Sequence, residues 1–185
     1  YMSGYNITIK DLKDFRQIDS TTPGHPEKNI TPGVDVSTGP LGQGFATAVG
    51  ICAAEKYLNN KFSGLIDYKT YVLCSDGDLM EGISYEAASL AGNLKLNNLI
   101  VLYDSNKITL DGSLEFTFNE NILKRFESQG WYTDLVEDGN NSFLIDRAIA
   151  KAKRVTDKPS IIEIRTTIGK DSLLEGTNKV HGSAL

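Results

Sequence analysis

Short apolar segments that alternate with helical segments constrain the fold of this chain more than any other feature. The clearest of them, NLIVLY at positions 98–103, is apolar almost without interruption. Strands of this kind are typical of parallel sheets covered on both faces, because both sides of each strand are then buried. The alternation predicts an α/β fold: an open, doubly wound, mostly parallel sheet with helices on both faces.

Spacing and turn residues place the individual elements. We predict strands over 71–74, 98–103, 131–136 and 160–165, and helices over 45–58, 84–93, 121–129 and 142–155. Residues 1–40 are rich in Gly, Pro, Thr and Asp, which predicts a long ordered loop, and loops of that length are usually functional. The sequence contains no internal repeat and no interdomain linker, so we predict one domain over residues 1–185.

Composition and charge exclude several classes of function. The chain has 19 Lys and Arg against 24 Asp and Glu, a net charge of −5, and its basic residues are scattered. The electrostatic footprint of a nucleic-acid-binding protein is missing, so we expect no nucleic-acid partner. No apolar stretch is long enough to span a bilayer and no signal segment starts the chain, so we expect no membrane partner and a cytoplasmic location.

The cysteines and the first residue add two expectations. Cys52 and Cys74 lie in apolar segments, without the spacing of a zinc site or a disulfide framework. We predict buried free thiols, as in a reducing cytosol. The chain begins at Tyr1 rather than at an initiator methionine, so we expect it to be a piece of a longer protein.

Acidic and amide side chains follow two neighbouring predicted strands. Asp76 follows the first strand in the segment SDGDLMEG, and Asp104 and Asn106 follow the second in YDSNKITLDG. Open parallel sheets bind ligands at the carboxyl ends of their strands, and these oxygens suit a Mg²⁺ ion that bridges to a diphosphate. Taken singly, Asp-Gly and Ser-Asn pairs are common in turns and helix caps, so a structural role stays open for each.

Two glycine-containing segments bear on the same site. Gly77 would let the backbone turn sharply beside a bound anion, and a helix that starts near Ile83 would point its N-terminus there. A second segment, GPLGQG at positions 39–44, directly precedes the helix predicted over 45–58. It fits an ordinary turn or a nucleotide-type glycine loop, although no convincing strand precedes it.

Several longer motifs occur in an order and spacing that resemble one family. They are TPGHPE, TGPLGQG, SDGDLMEGISYEAASLAG, LYDSNKITLDG, TTIG and VHG. Together they resemble the N-terminal, diphosphate-binding domain of transketolase, without its start and without the later pyrimidine-binding and C-terminal domains. The resemblance covers almost the whole chain. The resemblance to 1-deoxyxylulose-phosphate synthase is weaker, because the motifs TPGHPE and MEGISYEA are transketolase-like.

The resemblance implies thiamine diphosphate and Mg²⁺ as cofactors, with Ca²⁺ able to substitute for Mg²⁺. The side chains of Asp76 and Asn106 and the backbone carbonyl of Ile108 would ligate the metal. Ser75 and Gly77 would lie along the diphosphate. Ser75 stands where the family usually has glycine, so its side chain would change the approach to the diphosphate.

Three further positions are implied to contact the cofactor. Gly39 and Leu41 match positions that touch the aminopyrimidine and bend the cofactor into its V shape, with Gly39 acting through its backbone. Leu110 matches an apolar position beside the thiazolium. For a leucine, a place in the core is the ordinary alternative.

Three ionisable residues are implied to act in catalysis. His25 and His181 fall inside matched motifs and would face the donor sugar, with His181 also near the cofactor. The alternative for each is a structural hydrogen bond. Glu81 matches a carboxylate at the dimer contact, near the partner glutamate that protonates the pyrimidine nitrogen. Its alternative role is favourable charge at a helix N-terminus.

The implied activity is transfer of a two-carbon ketol unit from a ketose phosphate to an aldose phosphate. The protein would supply binding, orientation and proton transfer around the cofactor. A second subunit, most simply in a homodimer, would complete the active site, so the chain alone is expected to be inactive. The alternative is a non-catalytic cofactor-binding or assembly module, or the N-terminal subunit of a split transketolase.

Overall fold

Four parallel strands form the central sheet in the computed structural model, which describes residues 1–182. The described residues contain six strands in all: β1 Thr70–Ser75, β2 Leu99–Ser105, β3 Ile108–Thr109, β4 Gly112–Ser113, β5 Tyr132–Val136 and β6 Ser160–Arg165. The sheet order is β1-β2-β6-β5, and β3 and β4 form a separate antiparallel hairpin. The register aligns the carboxyl ends, with Ser75 of β1 beside Asp104 of β2, and Asp104 beside Ile164 of β6.

Six helices accompany these strands within the described residues. They are α1 Ile9–Lys13, α2 Gln43–Lys61, α3 Asp76–Met80, α4 Gly82–Asn93, α5 Ile122–Ser128 and α6 Ser142–Ala152. Short 3₁₀ helices cover Leu114–Phe116 and Asn178–Val180. Asparagine side chains cap two of the α-helices, since Asn121 accepts from the Lys124 amide at 3.0 Å and Asn141 from the Leu144 amide at 3.3 Å.

Helices cover both faces of the sheet because successive residues of a strand point to opposite sides. In β2, Val101 belongs to the cluster that includes Val49 of α2, whereas Ile100 packs with Ala148 and Ala152 of α6. Helices α4 and α5 lie on the α2 face. The predicted doubly wound, parallel α/β fold is therefore confirmed.

Close packing between α4 and the end of α5 explains why residue 92 is glycine. Trp131 packs edge-on against Phe126, with ring centroids 4.9 Å apart, and its indole Nε1 donates to the Ala88 carbonyl at 2.8 Å. A Cβ atom added to Gly92 of α4 would stand 1.8 Å from the Gln129 carbonyl oxygen. Only glycine lets α4 pass this close to the end of α5.

Several boundaries differ from the sequence prediction. Helix α2 is longer than predicted at both ends, and α6 ends at Ala152 rather than at residue 155. The predicted helix over 84–93 begins at Gly82, and a separate helix, α3, starts directly at the end of β1. The hairpin β3-β4 was not predicted, since its strands are two residues each and carry no pattern of their own.

The described residues divide into two compact units, and the single domain predicted over 1–185 stays a prediction. The first unit comprises residues 1–40 with Gly182, and it is largely without regular structure, as predicted, apart from α1. Thr8 and Asp11 form a capping box at the start of α1. The Arg16 guanidinium donates to the Gly182 carbonyl at 2.5 Å. The second unit comprises residues 41–181 and contains the sheet.

The prediction about the cysteines is confirmed, because Cys52 and Cys74 are free and buried. Burial, followed by the nearby charge of Glu55, raises the pKa of Cys52 to about 11. In the part of the chain that the structure describes, no helix has the length and apolar character needed to cross a bilayer.

Candidate functional site

Asp76 lies at the junction between β1 and α3 and is fully buried, with 0% of its surface exposed. Its Oδ1 accepts from the Tyr103 hydroxyl at 2.5 Å, and its Oδ2 accepts from the Lys107 amide at 2.9 Å. Burial raises the pKa of Asp76 above its ordinary value of 3.8, while the two donors act in the opposite direction. A nearby cation would favour the ionised form of this carboxylate.

Asn106 is held in the loop that follows β2, beside Asp76. Its Oδ1 accepts from the Ile108 amide at 3.0 Å, and its Nδ2 donates to Asp104 Oδ2 at 3.4 Å. The other oxygen of Asp104 accepts from the Thr166 hydroxyl, in the segment that follows β6. Because Lys107 bonds to Asp76, the structure brings the three predicted metal ligands Asp76, Asn106 and Ile108 to one edge of the sheet.

A second buried acid, Glu163, contacts residues at this edge of the sheet. Glu163 of β6 accepts from the Ser105 hydroxyl at 3.1 Å and is 8% exposed. The Lys107 Nζ lies 3.9 Å and the Arg165 Nε 3.7 Å from the same carboxylate oxygen. The loop that carries Asn106 is therefore tied to β6 as well as to β1.

The expectation of a sharp backbone turn at Gly77 is wrong. Gly77 is the second residue of α3 and does not have a positive φ. Its lack of a side chain instead makes room for Leu41, whose Cδ1 lies 3.4 Å from the position of an added Cβ. Leu41 itself is 49% exposed. The structure thus brings Leu41 and Gly77 together.

The helix predicted to start near Ile83 begins at Gly82, and a further helix that was not predicted lies between it and β1. Helix α3 occupies that place, with Ser75 as its N-cap in extended conformation, and α4 follows from Gly82. The Ser75 hydroxyl donates to Asp78 Oδ2 at 3.2 Å. The side chain of Ser75 is therefore engaged with α3.

The GPLGQG segment leads directly into α2 without a preceding strand among the described residues, so it is not a dinucleotide-type loop. Gly42 is the N-cap of α2, with a φ of 76°. A Cβ atom on Gly42 would stand 2.9 Å from both Ile83 Cγ2 and Ser84 Oγ. Backbone conformation and packing both require glycine at this position.

Leu110 lies at the tip of the hairpin β3-β4 and is 66% exposed, so the alternative of a core leucine is wrong. The Leu110 carbonyl accepts from Asn178 Nδ2 at 3.4 Å. His181 directly follows the 3₁₀ helix Asn178–Val180, and it is exposed. The structure therefore brings the segment that carries His181 to the hairpin that carries Leu110.

His25 and Gly39 are brought together within the first unit. Both lie in its loop segments, and His25 is exposed. The nearest atom to a Cβ added at Gly39 would be His25 Nδ1, at 3.4 Å. The imidazole therefore covers the α-carbon of Gly39.

Glu81 is the residue shared by the end of α3 and the start of α4. It is exposed, and its side chain makes no capping hydrogen bond to α4. Its carbonyl accepts from the Ser84 amide at 3.0 Å. This position is compatible with favourable charge at the N-terminus of α4 and leaves the carboxylate available to other groups.

Sequence reasoning missed the residues that hold the predicted ligands in place. Tyr103 reads as the end of an apolar run, and Lys107 acts through its backbone amide, which no sequence pattern reveals. Thr166 and Glu163 lie some 60 positions from their partners Asp104 and Ser105, at separations of 62 and 58. The one available signal was a charged residue, Glu163, inside the apolar strand SIIEIR.

The parallel sheet and the polar groups at its carboxyl ends define a cofactor-binding α/β domain. The whole chain, residues 1–185, matches the family described as "Transketolase, thiamine diphosphate binding domain". The chain therefore belongs to this family, and its fold is the α/β fold of thiamine diphosphate-binding domains. The resemblance stated from the sequence is confirmed.

Curated relatives and solved structures agree with this assignment. The chain is 54% identical over 189 residues to the transketolase of Aquifex aeolicus and 55% identical over 190 residues to that of Staphylococcus aureus strain MW2. All of this chain matches 27% and 28% of those proteins, so it spans little more than a quarter of their length.

Among solved structures, transketolase from Leishmania mexicana superposes with a TM-score of 0.91 at 48% identity, covering 97% of this chain and 28% of that one. Transketolase from Campylobacter jejuni gives 0.89 at 51% identity, again with 97% and 28% coverage.

Proposed function

We propose that this chain is the diphosphate-binding part of a transketolase. Together with the remaining domains, it would transfer a two-carbon ketol unit from a ketose phosphate to an aldose phosphate. The observation that carries the proposal is the buried Asp76 carboxylate, held beside the Asn106 loop at the carboxyl ends of β1 and β2. A fully buried carboxylate is costly for a fold, and such groups cluster at functional sites.

The residues at this edge fit a magnesium ion that also binds a diphosphate. Asp76 and Asn106 would contribute side-chain oxygens and Ile108 its carbonyl, and Ca²⁺ could replace Mg²⁺. Among residues 1–182, no group of three or more His, Cys, Asp or Glu side chains could hold a metal. Oxygens of the diphosphate and water would therefore complete the ligand set, which couples metal binding to cofactor binding.

When bound, thiamine diphosphate would supply the chemistry that breaks and forms a carbon–carbon bond next to a carbonyl group. The residues of this chain would bind and orient the groups around it. Ser75 and Gly77 would lie along the diphosphate, while Gly39, Leu41 and Leu110 would contact the rings. His25 and His181 would hydrogen-bond the donor sugar, and Glu81 would act at the contact with a second subunit.

Calorimetry on the full-length protein tests the proposal. We expect thiamine diphosphate to bind in the presence of Mg²⁺ and to bind far more weakly after the metal is removed with a chelator. The protein is also expected to convert a ketose phosphate and an aldose phosphate into two different sugar phosphates, detected by chromatography. Absence of metal-dependent cofactor binding would overturn the proposal.

The histidine assignments have their own test. In the full-length protein, His25→Ala or His181→Ala should lower kcat or raise the KM for the ketose at least about tenfold, since each would remove a group that binds or protonates substrate. The melting temperature should change by only a few degrees, because both side chains are exposed. Normal kinetics combined with a large loss of stability would assign both histidines to the fold.

The alternative, a cofactor-binding or assembly module without activity of its own, is distinguished by reconstitution. We expect the 185-residue chain alone to show no ketol transfer, and activity to appear when the rest of a transketolase is added as a separate chain. Turnover by the chain alone would show that it carries a complete site. No activity after mixing, with the cofactor bound, would favour the non-catalytic module.

A further inference from the structure

Asp78 connects two segments of the second unit that are far apart in sequence. Its Oδ2 accepts from the Ser75 amide at 2.9 Å, and its Oδ1 accepts from the Gly42 amide at 3.0 Å. Gly42 and Asp78 are 36 positions apart. One carboxylate therefore ties the turn before α2 to the end of β1.

The backbone of Asp78 adds a third link. Its carbonyl accepts from the Ser84 hydroxyl at 2.6 Å, and Ser84 is buried. The same hydroxyl lies 2.9 Å from the position that a Cβ atom on Gly42 would occupy. Gly42, Asp78 and Ser84 are thus packed against one another at the junction of α2, α3 and α4.

Helix capping alone does not account for this arrangement. In a capping box, the Asp78 carboxylate is needed only for its bond to the Ser75 amide at the start of α3. The bond from Gly42 goes to the other carboxylate oxygen and leaves the helix altogether. A carboxylate that accepts two backbone amides in this way fixes the spacing of the segments that carry them.

The two segments carry residues that the proposed function assigns to different parts of one cofactor. Leu41 precedes Gly42 and would contact the rings, and Gly77 precedes Asp78 and would contact the diphosphate. The Leu41 side chain already lies over the α-carbon of Gly77, at 3.4 Å from an added Cβ. A shift of either segment would change the distance between the ring contact and the diphosphate contact.

We propose that Asp78 is a positioning residue for the cofactor: its carboxylate sets the spacing between the Leu41–Gly42 turn and the Ser75–Gly77 segment. This inference rests on the proposed function for the identity of the ligand, a thiazolium diphosphate, but its structural part does not. Asp78 does not itself need to touch the cofactor.

The test compares Asp78→Asn with Asp146→Asn in the full-length protein. The Gly42 and Ser75 amides bond to different oxygens of Asp78, and asparagine has an NH2 group in place of one of them, so one of the two bonds is lost. Asp146 lies on α6, is exposed and loses a charge of the same sign, so it is the matched control. Hydrogen exchange of residues 41–45 reports the turn, and calorimetry with saturating Mg²⁺ reports thiamine diphosphate affinity.

We expect Asp78→Asn to speed amide exchange in residues 41–45 and to weaken cofactor binding about tenfold, equivalent to about 1.4 kcal/mol. The value of kcat at saturating cofactor should stay within about twofold, since no reacting group is removed. Asp146→Asn should leave exchange, affinity and kcat unchanged. Ser84→Ala removes only the contact to the Asp78 carbonyl, so it should have the same effects as Asp78→Asn but smaller ones. If Asp78→Asn does not fold, Ser84→Ala takes its place in the test.

Unchanged exchange or unchanged affinity in a folded Asp78→Asn protein would overturn the inference. A lower melting temperature with normal affinity would also overturn it, because it would assign Asp78 to helix capping alone. If the unmutated protein did not bind thiamine diphosphate, the proposed function would fall, whereas faster exchange in Asp78→Asn would still support the role of Asp78 in holding the turn.

Discussion

The two ends of the parallel sheet both carry polar side chains, but these side chains differ in burial and in their hydrogen-bond partners. At the carboxyl ends, Asp76 is completely buried and both of its oxygens accept from fixed donors. At the amino ends, Asp67 is exposed and accepts from Asn98 Nδ2 at 3.3 Å, while the Lys69 ammonium donates to Asn98 Oδ1. Glu55 is buried there, and its Oε1 has no hydrogen-bond partner among the described residues.

The difference between Asp76 and Asp67 is one of free energy, because burying a carboxylate destabilises a fold more than exposing it to water. An exposed carboxylate such as Asp67 costs little, because water solvates it. Burying a carboxylate such as that of Asp76 costs several kcal/mol unless hydrogen-bond partners compensate. Removing the carboxylate would in turn leave its donors unpaired, at about 1–3 kcal/mol for each donor. The proposed function accounts for the buried carboxylate of Asp76 as a metal ligand, whereas the buried Glu55 at the amino end has no such assignment.

Replacing the two aspartates is the strongest way to break this comparison. In the full-length protein, Asp76→Ala should reduce Mg-dependent thiamine diphosphate affinity at least about 100-fold, because a metal ligand is lost. Asp67→Ala, the same change at the other end, should leave affinity within about twofold. Calorimetry measures both.

Asp76→Asn, which keeps the size of the side chain, separates loss of the ligand from loss of folding. Equal affinities for the Asp76 and Asp67 variants would contradict the assignment of the carboxyl end.

Substituting two tyrosines tests whether a hydrogen-bond donor to Asp76 contributes to cofactor binding. Tyr103→Phe removes the donor to Asp76 Oδ1 and should weaken metal-dependent cofactor binding about tenfold, the usual effect of losing a group that orients a ligand. Tyr68→Phe removes a hydroxyl that donates to the Ile51 carbonyl at 3.2 Å, away from that edge. It should change affinity by less than about twofold. Equal effects of the two changes would show that Tyr103 does not position Asp76.

Gly77→Ala tests the contact with Leu41. The added methyl would meet the Leu41 side chain at 3.4 Å, an ordinary packing distance, and Gly77 is already helical. We expect a melting temperature equal to or slightly above that of the parent, since alanine favours helices by about 1 kcal/mol. Cofactor affinity should fall a few-fold, because the added methyl would stand where the proposed function places the diphosphate. A large drop in melting temperature would mean that the backbone there requires glycine.

The smallest expected effect concerns pH and Cys52, on the amino-end side. Its pKa is raised from an ordinary 9.0 to about 11, so the folded state binds the thiol proton more tightly than the unfolded state. This contribution to stability is fully present below pH 9 and is lost as the pH rises through 11. Urea unfolding at several values between pH 8 and pH 11 should show a steeper decline for the parent than for Cys52→Ala. Parallel declines would contradict the shift.

The sequence by itself determined the layer architecture and the family. The continuous apolar run of β2 and the apolar strand SIIEIR can be buried only in a sheet with two covered faces, and this requirement is local and visible in the letters. The alternation also brought Asp76 and Asn106 to one edge of the sheet, because parallel strands end on the same side. The positions of both residues therefore follow from the sequence pattern.

Only the tertiary structure decided what holds those residues. The Tyr103 and Lys107 contacts to Asp76 and the Gly42 contact to Asp78 join positions 27 to 36 apart, and the last two use backbone amides. It also decided that Gly77 is helical and that Leu110 is exposed at a hairpin tip, against the readings as a sharp turn and a core residue. The physical reason is that strand and helix patterns arise from local burial, whereas hydrogen bonds between distant segments depend on where the packed chain places each amide.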